Sequence, residues 1–180
     1  MSEFGFGPAS QSEQIVFGAE RPGYSSKSVS LSDVQKWISF MKRQGPKRVC
    51  CLLPQNQLSY YDEELSDSYR KEFGQDHICW APVEDYHLCD VATLTERILP
   101  FLKESDIKGE PVVVHCSGGS GRTGHVLAAW LVFGRGFSVE DALLAVKKMG
   151  RNPCEAVNYG NATTHELFAL LQECQRDNVA

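Results

Sequence analysis

The sequence predicts an α/β fold with a mostly parallel central sheet and helices on both faces of that sheet. Short apolar runs of strand length alternate along the chain with segments whose apolar residues recur at helical spacing. One of these runs, residues 111–114, is apolar throughout, which is typical of a parallel strand buried on both faces. The alternation and the buried run together indicate an open sheet covered by helices on each side.

Four apolar runs are expected to form the strands, because each has strand length and ends at Gly, Pro or polar residues. They are residues 15–17, 48–53, 77–83 and 111–114. The carboxyl ends of such strands are where an open α/β sheet binds its ligands.

Six segments are expected to form helices, because their apolar residues recur at intervals of three and four. Asp90 is expected to cap the third helix, and Pro100 to bend or shorten it. Ser138 and Thr163 open the last two helices, each with an acidic residue three positions on. Glycines are expected to end four of these helices: Gly45, Gly74, Gly134 with Gly136, and Gly150. The apolar positions at helical spacing include Val34, Trp37, Ile38, Met41, Leu65, Tyr69, Phe73, Leu94, Ile98, Leu102, Leu167, Phe168, Leu170 and Leu171.

Length, composition and charge narrow the class of protein. A chain of 180 residues suits one domain whose core needs no disulfides. Residues 1–14, rich in Gly, Ser and Gln, are predicted to form a flexible arm, and residues 15–180 a single domain. The formal net charge of −5 argues against binding to nucleic acid or to anionic membranes. No apolar run is long enough to span a bilayer, and we expect a cytoplasmic monomer.

The seven cysteines are an odd number without the paired spacing of a zinc site. Most of them are expected to be small buried hydrophobic residues with reduced thiols. We therefore expect no metal and no cofactor.

Cys116 lies in the stretch HCSGGSGRTG, residues 115–124, where a buried strand ends and a helix begins. Three glycines between Cys116 and Arg122 allow backbone N–H groups to turn inward as a nest for an anion. The helix N-terminus and the arginine favour the same anion, and they also favour a thiolate. The stretch predicts a nucleophilic cysteine aimed at a bound phosphoryl group. The phosphate-binding residues would be Ser117, Gly118, Gly119, Ser120, Gly121 and Arg122.

Other anion-binding loops fit this stretch less well. A Walker-type phosphate loop needs Gly-Lys followed by Ser or Thr, and it does not need a cysteine. A rhodanese-like sulfur carrier uses a cysteine in an anion loop, but it does not require Thr123 and Gly124 after the arginine. A purely structural cysteine would not need the nest, the arginine and the strand-to-helix context together.

The pattern His115-Cys116-x5-Arg122-Thr123-Gly124 resembles the signature loop of the cysteine-based protein tyrosine phosphatase superfamily, and the moderate length is similar to its dual-specificity branch. The resemblance implies the cysteine-phosphatase fold and a phosphocysteine intermediate, with Cys116 as nucleophile and Arg122 holding the phosphoryl oxygens. It also implies that Thr123 helps the thiolate to leave, that His115 supports the loop from behind, and that phosphate, sulfate or vanadate binds in the loop.

One loop position departs from the family. Gly118 stands where the family usually has Ala. Because glycine is more flexible, we expect this change to loosen the loop without disabling it.

The resembling family also places a general acid on an upstream loop, since the leaving oxygen must be protonated. In the stretch APVEDYHLCD, residues 81–90, Asp85 fits that position best. Glu84 and Asp90 are alternatives, although Asp90 is more simply a helix cap and Glu84 a solvated neighbour. The same acid would later act as base on the hydrolytic water.

The stretch GRNPCEAVNYGN, residues 150–161, resembles the segment in which related phosphatases keep a polar side chain to position that water. Many of them have Gln there. This chain offers Asn158 and Asn161, and the sequence does not choose between them.

Phosphorylated protein side chains are the leading substrate class, and the sequence does not decide between phosphotyrosine and phosphoserine or phosphothreonine. Phosphoinositide phosphatases of the family tend to carry lysines in the variable loop positions, and residues 117–120 are uncharged here. A phosphoinositide or other small phosphate ester, and a phosphate-binding module without catalysis, are the alternatives.

A second cysteine is a candidate redox partner for Cys116. Relatives sometimes protect the oxidised cysteine through a disulfide with a cysteine near the end of a neighbouring strand. In the run RVCCLL, Cys51 lies nearer the carboxyl end of the strand than Cys50, so Cys51 is preferred.

Overall fold

The computed structural model describes residues 2–176 of the chain. Within them, five strands form one sheet in the order β1-β2-β5-β3-β4. β1 pairs antiparallel with β2, and the other neighbours are parallel. The strands are β1 Gly7–Pro8, β2 Val16–Ala19, β3 Arg48–Cys51, β4 Ile78–Trp80 and β5 Val112–His115. The predicted α/β fold with a mostly parallel sheet is confirmed.

Helices cover both faces of the sheet. The helices described are α1 Leu31–Gln44, α2 Gln55–Leu58, α3 Leu65–Phe73, α4 Leu99–Lys108, α5 Gly121–Arg135, α6 Val139–Lys148, α7 Glu155–Asn158 and α8 Thr164–Arg176. Ser138 and Thr163 cap α6 and α8 through hydrogen bonds to the backbone N–H three residues on, as predicted. None of the helices described has the length and apolarity needed to cross a bilayer.

The helix that Asp90 opens is not the single α-helix that was expected. The Asp90 carboxylate accepts the Thr93 N–H at 2.8 Å, which confirms the cap. The segment Thr93–Ile98 is then π-helical, and α4 follows it with Pro100 in its first turn. Proline has no N–H to give to a preceding carbonyl, so a wider turn before it fits the sequence.

Two hydrophobic cores lie on opposite faces of the sheet. Along β5, Val112 and Val114 enter the core beneath α4, α5, α6 and α8, whereas Val113 enters the core beneath α1 and α3. All three side chains are fully buried, as the apolar run predicted for a strand covered on both faces. Helix α5 is itself buried over most of its length. The end of β5 and the start of α5 are therefore held rigidly from both sides.

The predicted flexible arm over residues 1–14 is corrected for residues 2–14, which pack against the rest of the protein. β1 lies in this segment, and Ala9 is fully buried. The buried Glu13 carboxylate accepts hydrogen bonds from Trp130 Nε1 at 3.1 Å and from Arg135 Nε at 2.9 Å. Burial raises the pKa of Glu13, but the hydrogen bonds from Arg135 and from backbone N–H groups lower it overall. The polar composition of residues 1–14 gives no indication of these long-range partners.

Candidate active site

The loop after β5 turns tightly around Gly119. This residue has a φ of 66°, and a Cβ at this position would lie 2.5 Å from the Ala19 carbonyl oxygen. Only glycine fits such a left-handed position in close contact with backbone. The loop therefore passes directly against the end of β2, and Cys116 is buried at its base.

Two buried arginines hold the carbonyl groups of this loop. The backbone N–H of Arg21 donates to the Ser117 carbonyl at 3.0 Å, and Arg21 Nε donates to Ser117 Oγ at 3.1 Å. Arg151 Nη1 donates to the Gly119 carbonyl, and Arg151 Nη2 donates to the Gly18 carbonyl at 2.7 Å. Because these carbonyls are engaged on the outside of the turn, the loop N–H groups are left to bind an anion on the inside.

His115 supports the loop from the side of the sheet. It is completely buried, and burial lowers its pKa to about 4, so the ring is neutral. Nδ1 lies 3.1 Å from the Cys116 carbonyl, which can only accept, so Nδ1 carries the proton. Nε2 therefore accepts the Tyr69 hydroxyl at 2.9 Å. These contacts fit the supporting position that the family resemblance implies.

The Arg122 side chain binds polar groups from several parts of the chain. It is buried in the first turn of α5, and its Nη2 lies 2.9 Å from Asp85 Oδ1. Its Nη1 donates to Gln57 Oε1 at 3.0 Å and to the Val83 carbonyl at 3.1 Å. Gln57 Nε2 in turn donates to Asp85 Oδ2 at 3.0 Å. The Arg122 guanidinium and the Gln57 amide thus fix the Asp85 carboxylate, which the sequence made the first candidate for the general acid.

Of the three carboxylates that the sequence left open, Asp85 is the one that lines the pocket above Cys116. Asp90 caps the following helix, and Glu84 is exposed outside the pocket. Tyr86, the next residue, has a φ of 59°, a costly position for a residue with a side chain. Its backbone carbonyl accepts the Asn161 amide at 2.9 Å. Asn161 therefore helps to fix the loop of residues 81–90, which is called the acid loop below because it carries the candidate acid Asp85.

The pocket is small, about 130 Å³, and it opens above Cys116. A larger groove of about 800 Å³ lies between residues 10–12 and α6, and it contains none of the candidate site residues. The small pocket is lined by Tyr24, Asp85, Tyr86, Cys116, Ser117, Gly118, Ser120, Gly121, Arg122 and Glu155. Three of the four predicted catalytic residues, Cys116, Arg122 and Asp85, thus line one pocket.

Six of the predicted site residues lie outside the lining of this pocket: Cys51, His115, Gly119, Thr123, Asn158 and Asn161. Thr123 is fully buried, and its hydroxyl has no hydrogen-bond partner within the described part of the chain. Asn158 Oδ1 accepts the Asn152 side-chain amide at 3.0 Å, and Asn161 binds Tyr86. From the segment in which a water-positioning group was expected, Glu155 is the side chain that lines the pocket.

Sequence reasoning missed Gln57, Glu155 and His125. Gln57 and Glu155 belong to one-turn helices that carry no local pattern. His125 accepts the Cys89 N–H on Nε2 at 3.0 Å and donates from Nδ1 to the Gly121 carbonyl at 3.2 Å. It thereby ties the segment after the acid loop to the first turn of α5. Its place three residues after the arginine was the only signal available.

Cys51 is a buried free thiol that pairs in register with His115, the residue before Cys116. Burial raises its pKa to about 12. Cys50 faces the opposite core and pairs in register with Cys79. The redox pairing of Cys51 with Cys116 stays a prediction.

The fold and the site together define a cysteine-based phosphatase. A model of the dual specificity phosphatase catalytic domain matches residues 53–163, and the chain belongs to that family. The match includes the acid loop, the loop after β5 and α7, whereas β1, β2 and β3 precede it.

Relatives and solved structures agree with this assignment. Dual specificity protein phosphatase 5 of Homo sapiens is 30% identical over 84 residues, which are 47% of this chain and 21% of that protein. This chain therefore matches about a fifth of the length of that relative. A solved structure of Tk-PTP is 25% identical, with a TM-score of 0.68, and the match covers 94% of this chain and 95% of that one. A solved structure of kinase associated phosphatase is 22% identical, with a TM-score of 0.67, and the match covers 94% of this chain and 90% of that one. At this identity the similarity supports the fold alone.

Two neighbouring glycines provide a test of the loop geometry. We expect Gly119→Ala to lower kcat/KM about 10²-fold, because a Cβ there meets backbone and displaces the N–H groups. Gly118→Ala is the matched control, since its Cβ would meet only the flexible Tyr24 side chain, at 3.1 Å from Oη. Steady-state kinetics with para-nitrophenyl phosphate measure both variants. Equal activity of the two would contradict the geometry described for the loop.

Proposed function

We propose that this phosphatase hydrolyses phosphotyrosine in proteins through a phosphocysteine intermediate. The observation that carries the proposal is that Cys116, Arg122 and Asp85 line one pocket at the N-terminus of α5. A nucleophile, a bidentate oxyanion ligand and a carboxyl group within reach of the leaving oxygen are what phosphoryl transfer to cysteine needs.

In the first step, the Cys116 thiolate attacks phosphorus, a P–S bond forms and the P–O bond to tyrosine breaks. Arg122 and the loop N–H groups hold the three non-bridging oxygens as negative charge redistributes among them. The proton of the Asp85 carboxyl goes to the leaving phenolate oxygen. In the structure, Asp85 binds Arg122 Nη2, so a phosphoryl group that takes this donor releases Asp85 towards the leaving oxygen.

In the second step, water attacks phosphorus, the P–S bond breaks and inorganic phosphate forms. Asp85 accepts the proton of the water, and the electrons of the broken bond return to sulfur as thiolate. The Thr123 hydroxyl is a buried donor without another partner among the residues described, in the first turn of α5. In this proposal it donates to the sulfur as the thiolate leaves.

The rim of the pocket favours an aromatic phosphate ester. Tyr24 and Tyr86 line the opening, and the Tyr86 ring stacks on that of Tyr159 with 4.2 Å between centroids. All three rings are exposed, and Tyr159 is 62% exposed. Exposed aromatic rings beside a phosphate site are suited to contact the ring of phosphotyrosine. Phosphoserine has no ring that could contact them.

A phosphoinositide is the second candidate substrate. PTPMT1 in complex with PI(5)P has a similar fold, with a TM-score of 0.64 at 14% identity. TpbA of P. aeruginosa, solved in complex with pTyr, also has a similar fold, with a TM-score of 0.56 at 16% identity. In this chain residues 117–120 are uncharged, and two carboxylates line the pocket, which disfavours a substrate with several phosphates.

The free state of all seven cysteines supports a cytoplasmic site of action.

The covalent step is tested by Cys116→Ser. We expect this variant to lose hydrolysis of phosphotyrosine peptides while it still binds these peptides, because Arg122 and the loop remain. Rapid acid quench of the wild-type enzyme followed by mass spectrometry should show a phosphate on the peptide that contains Cys116. Near-normal turnover by the variant, or phosphate on a different residue, would rule out the phosphocysteine.

The acid is tested by Asp85→Asn. We expect kcat to fall about 10²- to 10⁴-fold on phosphotyrosine peptides, whose leaving group needs a proton, with little change in binding. The loss should be smaller on aryl phosphates with acidic phenols. Glu84→Gln is the control, since Glu84 lies outside the pocket. A uniform loss on all leaving groups would assign Asp85 a different part in the reaction.

The substrate class is tested with matched peptides that carry phosphotyrosine or phosphoserine, and with PI(5)P in vesicles. We expect the highest kcat/KM for phosphotyrosine. Tyr159→Ala should lower that value about 2- to 10-fold, as expected for the loss of an aromatic contact, and leave the phosphoserine value unchanged. A preference for PI(5)P would move the proposal to the lipid alternative.

A further inference from the structure

Glu155 places a second carboxylate in the pocket, beside the first residue of α5. The contact is so close that a Cβ on Gly121 would lie 1.8 Å from Glu155 Oε2 and 2.6 Å from Glu155 Cβ. Glu155 is the first residue of α7, and its carboxylate lines the same pocket as Cys116 and Arg122. Glycine at position 121 makes this approach possible.

The position of the carboxylate is one that favours an anion. The backbone N–H groups at the start of α5 and the positive end of the helix dipole both attract negative charge there. The phosphoryl oxygens of a substrate would need the same groups. We infer that the Glu155 carboxylate competes with the substrate phosphoryl group for the N-terminus of α5, so that an oxyanion binds tightly only when Glu155 is protonated or turned away. The inference rests on the oxyanion-binding function proposed for the loop.

The surrounding charges support this competition. The titratable groups that face Glu155 come from the acid loop, the loop after β5, α5 and the segment before α1, and they are Asp85, Tyr86, Cys116, Arg122 and Tyr24. Arg122 is the one cation among them. Burial raises the pKa of Glu155, the Asp85 carboxylate raises it further, and Arg122 and the Gly121 N–H oppose both effects.

The direction of the pH dependence follows from these charges. An oxyanion beside Glu155 adds another negative charge, so its binding favours the protonated carboxyl. Binding is therefore strongest at acidic pH, and it weakens as pH rises through the raised pKa of Glu155. Asp85 adds its own repulsion, but it is also held by Arg122 and Gln57 and is the group needed as acid.

Sulfate binding tests the inference, because sulfate remains a dianion from mildly acidic to neutral pH and contributes no titration of its own. The measurements use the full chain with Cys116→Ser, which removes the thiol from the pocket. Sulfate affinity is measured by calorimetry for this variant and for its combinations with Glu155→Gln and Glu155→Ala. At neutral pH we expect both combinations to bind sulfate about tenfold more tightly, as expected for the removal of one neighbouring charge. The difference should disappear at acidic pH.

Two further variants separate Glu155 from the other acidic groups. Glu84→Gln removes the same charge outside the pocket, and we expect it to leave the pH profile unchanged. With Asp85→Asn, the effect of Glu155→Gln should persist. Equal sulfate affinity with and without Glu155 at every pH, or loss of the whole pH dependence with Asp85→Asn alone, would overturn the inference. Failure of Cys116→Ser to bind sulfate at any pH would instead overturn the oxyanion function of the loop.

Discussion

The buried positive charge of Arg122 is the constraint that organises the site. A guanidinium removed from water must have its hydrogen-bond donors engaged, or the protein is destabilised by several kcal/mol. Its partners come from three places in the chain: the amide of Gln57 in α2, the carbonyl of Val83 after β4, and the carboxylate of Asp85. The need to pair one cation therefore brings the acid loop to the loop that holds Cys116.

A similar requirement explains why the N-terminal segment belongs to the folded protein. Arg151 is buried behind the loop, and its Nη2 donates to the carbonyls of Gly5 at 3.0 Å and Gly18 at 2.7 Å. Its Nη1 holds the Gly119 carbonyl. One side chain thus joins the start of the chain, the end of β2 and the loop after β5. Residues 2–14 are part of the support of the site rather than an appendage.

The parts of the fold and site that the sequence predicts well are those in which neighbouring residues carry the information. The residues from His115 to Gly124 form one strand-to-helix turn, so an anion-binding loop with a nucleophilic cysteine could be inferred from neighbouring residues. Asp85 was chosen because the resembling family places its acid on the loop after the preceding strand. Gln57 could not be found in this way, because it lies 65 positions before Arg122 in the sequence and meets it only in the folded chain. Asn158 and Asn161 were chosen by residue type, and Asn161 lies beyond the end of α7. Glu155, at the first position of α7, is the residue of this segment that lies against Gly121.

The contacts of Arg122 also connect substrate binding to the proton transfer. In the structure, one guanidinium faces the carboxylate of Asp85, in the loop after β4, and that of Glu155, in α7. In the mechanism that we propose, a phosphoryl dianion that takes the guanidinium leaves both carboxylates beside a new negative charge. In that mechanism Glu155 withdraws or holds a proton when the oxyanion binds, while Asp85 is released from Nη2 and gives its proton to the leaving oxygen. Under this proposal, substrate binding and proton transfer are connected because both redistribute the charge of Arg122.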